Sequence, residues 1–314
     1  MFEIRRYSPE KADEWNRFVA GAKNGTFLFN RGYMDYHSDR FEDYSLMFYE
    51  NGRLSALLPA NDGGGGVFCS HQGLTYGGLV MDKNNRAAKV RDMFVLLNVF
   101  LKNAGFCRVV YKHIPYVYCN LPADEDSFAL INVCKAAIVS RDVASVVVLD
   151  SRLPLSTLRR RGLKKAQKNH LQVREMQDFA PFWRILEENL QSRFHASPVH
   201  TLEEIELLHT RFPQNVRLFV VCQDDTVLGG TVLYVSSHIV KAQYISASDE
   251  GKRVGAIDLL FYTLLSRFAA EGMRYFDFGT SNRVDNDDLN ESLIFQKEGF
   301  GGRAVCYDTY EWML

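Results

Sequence analysis

EGMRYFDFG, Glu271 to Gly279, runs from a helical pattern through a glycine into a short aromatic strand. Upstream, Val254, Ile257, Phe261, Leu264 and Phe268 recur at the spacing of one helix face. Gly272 ends that helix, because glycine accepts the left-handed conformation that stops helices without steric cost. The same grammar stands earlier in the chain. Val90, Phe94, Leu97 and Leu101 mark a helix face, Gly105 ends it, and CRVVYK follows as a strand.

Working outward from both copies, the order extends. YSLMFYE, an Asn51-Gly52 turn and RLSALLPA form a hairpin, since Asn-Gly readily takes positive φ at both positions. VRLFVVC, a DDT turn and VLGGTVLYV form the second hairpin, and HIVKAQYISA adds a strand. HQGLTYGGLV is expected as the corresponding strand of the first half. Hairpin, strand, helix and strand thus occur twice in one order. Two related α/β domains are expected, residues 1–145 and 146–314, against the alternative of two generic α/β halves.

The 314 residues suffice for one large or two ordinary domains. Lys+Arg 37 against Asp+Glu 38 gives a net charge of -1, so no global attraction to nucleic acid or anionic membrane is expected. The opening MFEIRRYSPEKADEW carries acidic residues and no apolar core, which argues against a secretory signal. No apolar run reaches membrane-spanning length. Cys69, Cys107, Cys119, Cys134, Cys222 and Cys306 form no C-x-x-C pair, and buried free thiols in a reducing cytoplasm are expected. NDGGGG lacks the Gly-Lys-Ser/Thr end of a phosphate loop and reads as a surface turn. LSTLRRRGLKKAQKNHLQV is a basic helix between the halves. It reads either as a solvated face or as an anion surface for phosphate, RNA or anionic lipid.

Candidate chemistry gathers in the second half. Gly251, Lys252, Arg253 and Gly255 stand where a strand meets a helix, and helix-start N–H groups with basic side chains can hold phosphate oxygens. In YFDFG, alternation turns Asp277 away from Phe276 and Phe278. A further helix is expected to begin near Asp287 or Asp288. On it Asn290, Ile294 and Lys297 share a face, and Gly299 and Gly301 let the chain turn around Phe300. Lys297 can serve the helix dipole, donor phosphates or an oxyanion. Asp285-x-Asp287 lacks the rest of a calcium loop, so no metal is expected. In QSRFHASPVHTLEE, His195 and His200 can take a proton from an amine, Arg193 adds charge, and Thr201 with Glu204 forms a capping box. Gln243 and Tyr244 can line a groove, while His113, Tyr116 and Tyr118 can close the junction of the two halves.

The chain resembles the FemAB-like branch of the N-acetyltransferase (GNAT) superfamily. The resemblance is carried by Phe276-Asp277-Phe278-Gly279, Leu289 to Ile294, and Gln296-Lys297-Glu298-Gly299-Phe300-Gly301. Upstream, Phe182 to Leu186, Arg193-Phe194-His195, Pro198-Val199-His200 and Glu203-Glu204-Ile205 are similar to the same group. It implies an α/β fold of tandem duplicated GNAT-like domains, each a mixed, mostly antiparallel sheet flanked by helices. It also implies an acyltransferase moving an acyl group from a thioester such as acyl-CoA, or from aminoacyl-tRNA, to an amine. The acceptor would be a small molecule or a peptidoglycan precursor.

Within that reading Lys297, Asp277 and His195 are the catalytic candidates. Lys252, Arg253, Gly255, Asn290 and Phe300 face the donor, and Arg193, His200, Gln243, Tyr244 and Tyr116 face the acceptor. Two departures stand out: Lys252-Arg253-Val254-Gly255-Ala256 sets its basic residue at the wrong offset from the glycine, and no long charged helical arm is present. A thioester is the expected donor, tRNA the alternative. A noncatalytic binding protein and an RNA-contacting protein are the competing classes.

Overall fold

The computed structural model describes residues 2–283 and 288–314, the side chains of Arg193 and Phe194 excepted. Two units result: one runs to Asp142 and includes Cys306–Leu314, the other is Val143–Val305. The chain changes unit inside a strand both times, so the expected division at 145/146 shifts and the last strand's end belongs with the first unit.

In the first unit, β1 (Phe2–Arg6), β2 (Leu46–Glu50), β3 (Arg53–Leu58) and β6 (Val80–Met81) form an antiparallel set in that order. β4 (Asn61–Asp62), β5 (Val67–Cys69) and β7 (Arg108–Lys112) form a second set, joined by the end of β14 (Arg303–Met313). The hairpin β2–β3 turns at Asn51 (φ 50) and Gly52 (φ 79), and Glu50 faces Arg53. Helices α1 (Ala12–Gly21), α2 (Arg31–Met34), α3 (Ala87–Asn103) and α4 (Glu125–Asn132) complete it. On α3, Val90, Phe94, Leu97 and Leu101 are buried, packing with Phe48, Leu58, Val109 and Trp312 in one core. β6 and then α3 lie between β5 and β7, which pair in parallel. The expected strand across HQGLTYGGLV is confined to Val80–Met81. His71 (φ 59) and Gly78 (φ 90) bend that segment out of extended geometry.

β8 (Ala137–Val148) leads into the second unit. There the order is β9 (Gln172–Met176), β10 (Val216–Gln223), β11 (Thr226–Val235), β12 (Ile239–Ala247) and β13 (Tyr275–Thr280), numbered from one edge as 9-10-11-12-13-8. Its helices are α5 (Thr157–Lys168), α6 (Ala180–Phe194), α7 (Leu202–Arg211), α8 (Asp249–Val254), α9 (Ala256–Ala270) and α10 (Glu291–Glu298). The capping box of Thr201 and Glu204 opens α7. On α9, Leu260, Phe261, Leu264 and Phe268 pack with Phe219, Val240 and Phe276. The single long helix expected from Val254 is split at Gly255, which takes φ 83.

The basic helix α5 lies flush against α8 and α9. A Cβ at Gly162 would fall 1.9 Å from Asp258 Oδ2, and one at Gly255 would fall 2.3 Å from the Gly162 carbonyl oxygen. Arg159 donates to Asp258 at 2.8 Å. Arg160, Arg161, Lys164, Lys165 and Lys168 remain exposed. Cys69, Cys134 and Cys222 are buried free thiols as expected, whereas Cys107 and Cys306 are exposed.

Candidate active site

β12 and β13 pair in parallel only through Ile239, Val240 and Lys241, facing Tyr275, Phe276 and Asp277. Beyond that point the strands part. β13 is irregular between Asp277 and Thr280, where Gly279 takes φ 74. A cavity of about 320 Å³ opens there, walled by Ile245, Ser246 and Ala247 of β12, Phe278 of β13, and residues of α6, α8, α9 and α10.

Three ionisable side chains converge beneath it. Asp277 is fully buried, beside Lys241 in the parallel register, and its Oδ1 accepts from Gly279 N at 2.7 Å. Lys297 is 6% exposed and donates from Nζ to the carbonyl oxygens of Gly279 (2.9 Å) and Thr280 (2.6 Å). Burial lowers its ammonium from 10.5 to about 8; Asp277 opposes that shift and Lys241 adds to it. Burial likewise lowers Lys241, against the attraction of Asp277. Lys241 donates to Gln243 Oε1 at 2.5 Å. An ammonium has three N–H donors, so two carbonyl bonds leave Lys297 one for a ligand in the cavity it lines. Lys297 sits in the last turn of α10, yet its partners are carbonyls of the β13 segment, so the dipole reading is not its main role.

The remaining candidates sort clearly. Phe300 lines the cavity, stacked on Phe278 with centroids 5.5 Å apart. Lys252 also lines it, held by Asn189 Oδ1 at 2.7 Å and Asp249 Oδ1 at 2.9 Å. Arg253 is taken up by Glu250 at 2.8 Å. Gly255 is covered by Gly162, so the close approach its lack of a side chain permits is made by α5 and not by a diphosphate. Acidic Asp249 and Glu250 occupy the first turn of α8, which further disfavours a phosphate there. Asn290 is the N-cap of α10, accepting from Leu293 N at 3.1 Å, so the helix begins after the expected Asp288. Asp287 and Asp285 lie outside the described residues, as does the Arg193 side chain.

His195 is exposed and caps the C-terminus of α6 with φ 50. His200 is buried, its Nδ1 2.6 Å from the Tyr244 hydroxyl, and burial pushes that hydroxyl up to about 12. None of His195, His200, Gln243 or Tyr244 lines the cavity. Tyr116 belongs to the first unit, on an exposed turn. The sequence reading missed Lys241, Asn189 and Ser246. A lysine between Val240 and Ala242 in an apolar strand was the available signal. Among the described residues, no cluster of three or more metal-ligating side chains occurs, and no helix is long and apolar enough to cross a membrane.

Residues 156–287 match the family model described as an acetyltransferase (GNAT) domain. The fold is similar to that of FemX, with a TM-score of 0.70 at 11% identity over 99% of this chain and 97% of that one. It is also similar to the C-terminal domain of a putative lysylphosphatidylglycerol synthetase from Agrobacterium fabrum (0.61, 13%, 96% and 91%). A tandem GNAT protein from the clavulanic acid biosynthesis pathway matches over 100% of this chain and 98% of its own, at a TM-score of 0.54 and 11% identity. No curated protein matches by sequence. The second unit thus carries a GNAT acetyltransferase domain, within a tandem GNAT fold of α/β class. Residues 156–287 are thus similar to GNAT acetyltransferase domains, and the chain as a whole shares the fold of FemX.

Proposed function

We propose that the protein transfers an acyl group directly from a thioester of the acyl-CoA type to an amine, with Lys297 holding the carbonyl oxygen. The observation that carries this reading is a buried lysine whose ammonium is held by two backbone carbonyls, leaving one N–H at the wall of a mainly apolar cavity. A neutral amine attacks the thioester carbon, a C–N bond forms, and charge collects on oxygen next to the Lys297 ammonium. Collapse breaks the C–S bond, and the proton shed by the amine ends on the leaving thiolate. None of the candidate bases lines the cavity, so this route places proton loss at the thiol or at solvent. Asp277 acts as a positioning residue, balancing Lys241 and Lys297 and tying down Gly279. The amine acceptor is a small molecule or a peptidoglycan precursor.

A second donor, an aminoacyl ester of tRNA, is favoured by one feature: Gly255 is covered while five cations of α5 stay exposed. Mass spectrometry of amide products from parallel incubations with acyl-CoA thioesters and with charged tRNA separates the two. Product from charged tRNA alone would reverse the order of the readings.

A further inference from the structure

Phe300 borders two cavities. On one side is the pocket at Lys297; on the other lies a hollow of about 410 Å³ between the Leu149–Leu155 turn and α9, lined by Leu153, Pro154, Tyr262 and Leu265. Phe300 is the residue that lines both, and its ring is 2% exposed. The ring is gripped by Phe278, by the edge of Phe261 with centroids 5.3 Å apart, and by the Arg159 guanidinium 5.2 Å from its centre. Its backbone is equally confined. Gly301 takes φ 97, and a Cβ there would meet the Leu153 carbonyl oxygen at 2.9 Å; one at Gly299 would meet Ser156 Oγ at 3.1 Å. The ring is therefore a fixed partition, not a mobile side chain in a loose loop.

The pocket also has a one-sided charge. Among the described residues, Lys252 and Lys297 are its charged lining residues, no carboxylate lines it, and the other walls are mainly Leu, Ile and Phe. An ammonium on the acyl group would meet two cations at the wall, whose carboxylate partners Asp249 and Asp277 lie outside the lining. We infer that the pocket receives an uncharged acyl chain and that Phe300 sets the chain length it accepts. The inference rests on the acyl-transfer reading for its meaning, though the pocket can be probed without turnover.

Straight-chain carboxylates from butanoate to tetradecanoate, and ω-amino acids of matched length, are titrated calorimetrically into wild type, F300A and F300L. Affinity should rise about three- to fourfold per methylene up to a limiting length. F300A should move that limit outward by two or more carbons, because the second hollow joins the first. F300L, which keeps an apolar side chain and protects the fold, should move it the same way by less. Each ω-amino acid should bind at least tenfold more weakly than its matched carboxylate. One limit shared by all three proteins, or preferred binding of ω-amino acids, overturns the inference. A limit that moves while no thioester is turned over upholds the pocket assignment and sinks the thioester reading alone.

Discussion

Each unit contains a parallel strand pair bridged by a helix, and the two pairs end differently. In the first unit, β5 and β7 part after Cys69 and Val110, and the chain itself fills the gap. Ser70 N donates to Val110 O at 2.9 Å, Lys112 N to Ser70 Oγ at 2.7 Å, and Gly77 N to Lys112 O at 3.1 Å. Lys112 spends its ammonium on the carbonyls of Gln72 and Leu74, both at 3.0 Å. In the second unit the gap beyond Lys241 and Asp277 stays open, and a lysine from α10 reaches its edge. The freed backbone groups that one unit satisfies with a folded-back loop are met in the other by a cation that can also serve a ligand. The two units share a frame, and on the proposed reading what lies in the gap separates the unit that does chemistry from the one that does not.

The sharpest way to break that contrast is to remove the cation. K297M keeps aliphatic bulk while losing charge and the free N–H. Turnover should fall tenfold to a thousandfold, about 1.4–4 kcal/mol in transition-state stabilisation. Product formation by mass spectrometry with the preferred donor reads it directly. Unchanged turnover would make the open gap a structural accident. In wild type, activity that needs the ammonium should decline as pH rises through about 8.

The same lysine links stability to pH. Its folded value, about 8, lies below the ordinary 10.5. Below 8 both states are protonated and the cost of the buried cation is full. Between 8 and 10.5 the unfolded chain keeps a proton that the folded one has lost, so stability rises with pH. At 1.36 kcal/mol per unit the rise is on the order of 3 kcal/mol for this one group. Urea denaturation at pH 7 and pH 10 should show K297M lacking that increment. Identical pH dependence in both proteins would mean the lysine is far less desolvated than its surroundings imply.

A pair of glycines sharpens the comparison further. Gly105 and Gly272 end α3 and α9 with φ 91 and φ 80, and nothing crowds a Cβ at either position. Gly255 has φ 83 but meets the Gly162 backbone. G105A should cost about 1–2 kcal/mol, the left-handed penalty alone. G255A adds a backbone collision and should cost above ~3 kcal/mol. Equal losses in urea midpoint would show that α5 does not press on α9.

Those glycines also explain what sequence could and could not disclose. Asn51-Gly52, the α3 and α9 faces and the Gly105 and Gly272 stops were legible because local φ preference and periodicity determine them. Strand alternation set Asp277 apart from Phe276 and Phe278, and the glycine-rich turn drew notice to Lys297 and Phe300, which line the cavity while Asp277 does not. Gly255 announced a close approach without saying what approaches, and α5 proved to be the answer. Lys241 was missed because its importance comes from strand register with Asp277, a pairing between residues far apart in sequence. HQGLTYGGLV carries strand-like residues, but its backbone is needed to fill the gap beside Lys112.

The smallest expected effect concerns the outer face of α5. Arg159 differs from its neighbours: it is mostly buried, bonded to Asp258, and set over Phe300. Burial raises the Asp258 carboxyl, and Arg159 opposes that rise, so this pair belongs to the packing. Arg160, Lys164 and Lys168 are exposed, and an exposed charge contributes within about 0.5 kcal/mol to folding. The triple change to glutamate should therefore leave the urea midpoint nearly unchanged. Its effect on donors is the informative part. Six units of charge change would weaken a polyanionic tRNA strongly and with steep salt dependence, while a thioester held in the Lys297 pocket should lose little. Filter binding of charged tRNA and calorimetry with an acyl-CoA, both at two salt concentrations, compare the two losses. A large, salt-sensitive loss for tRNA with turnover from charged tRNA would move the donor onto the face of α5; a small loss for both would leave that face as solvated surface.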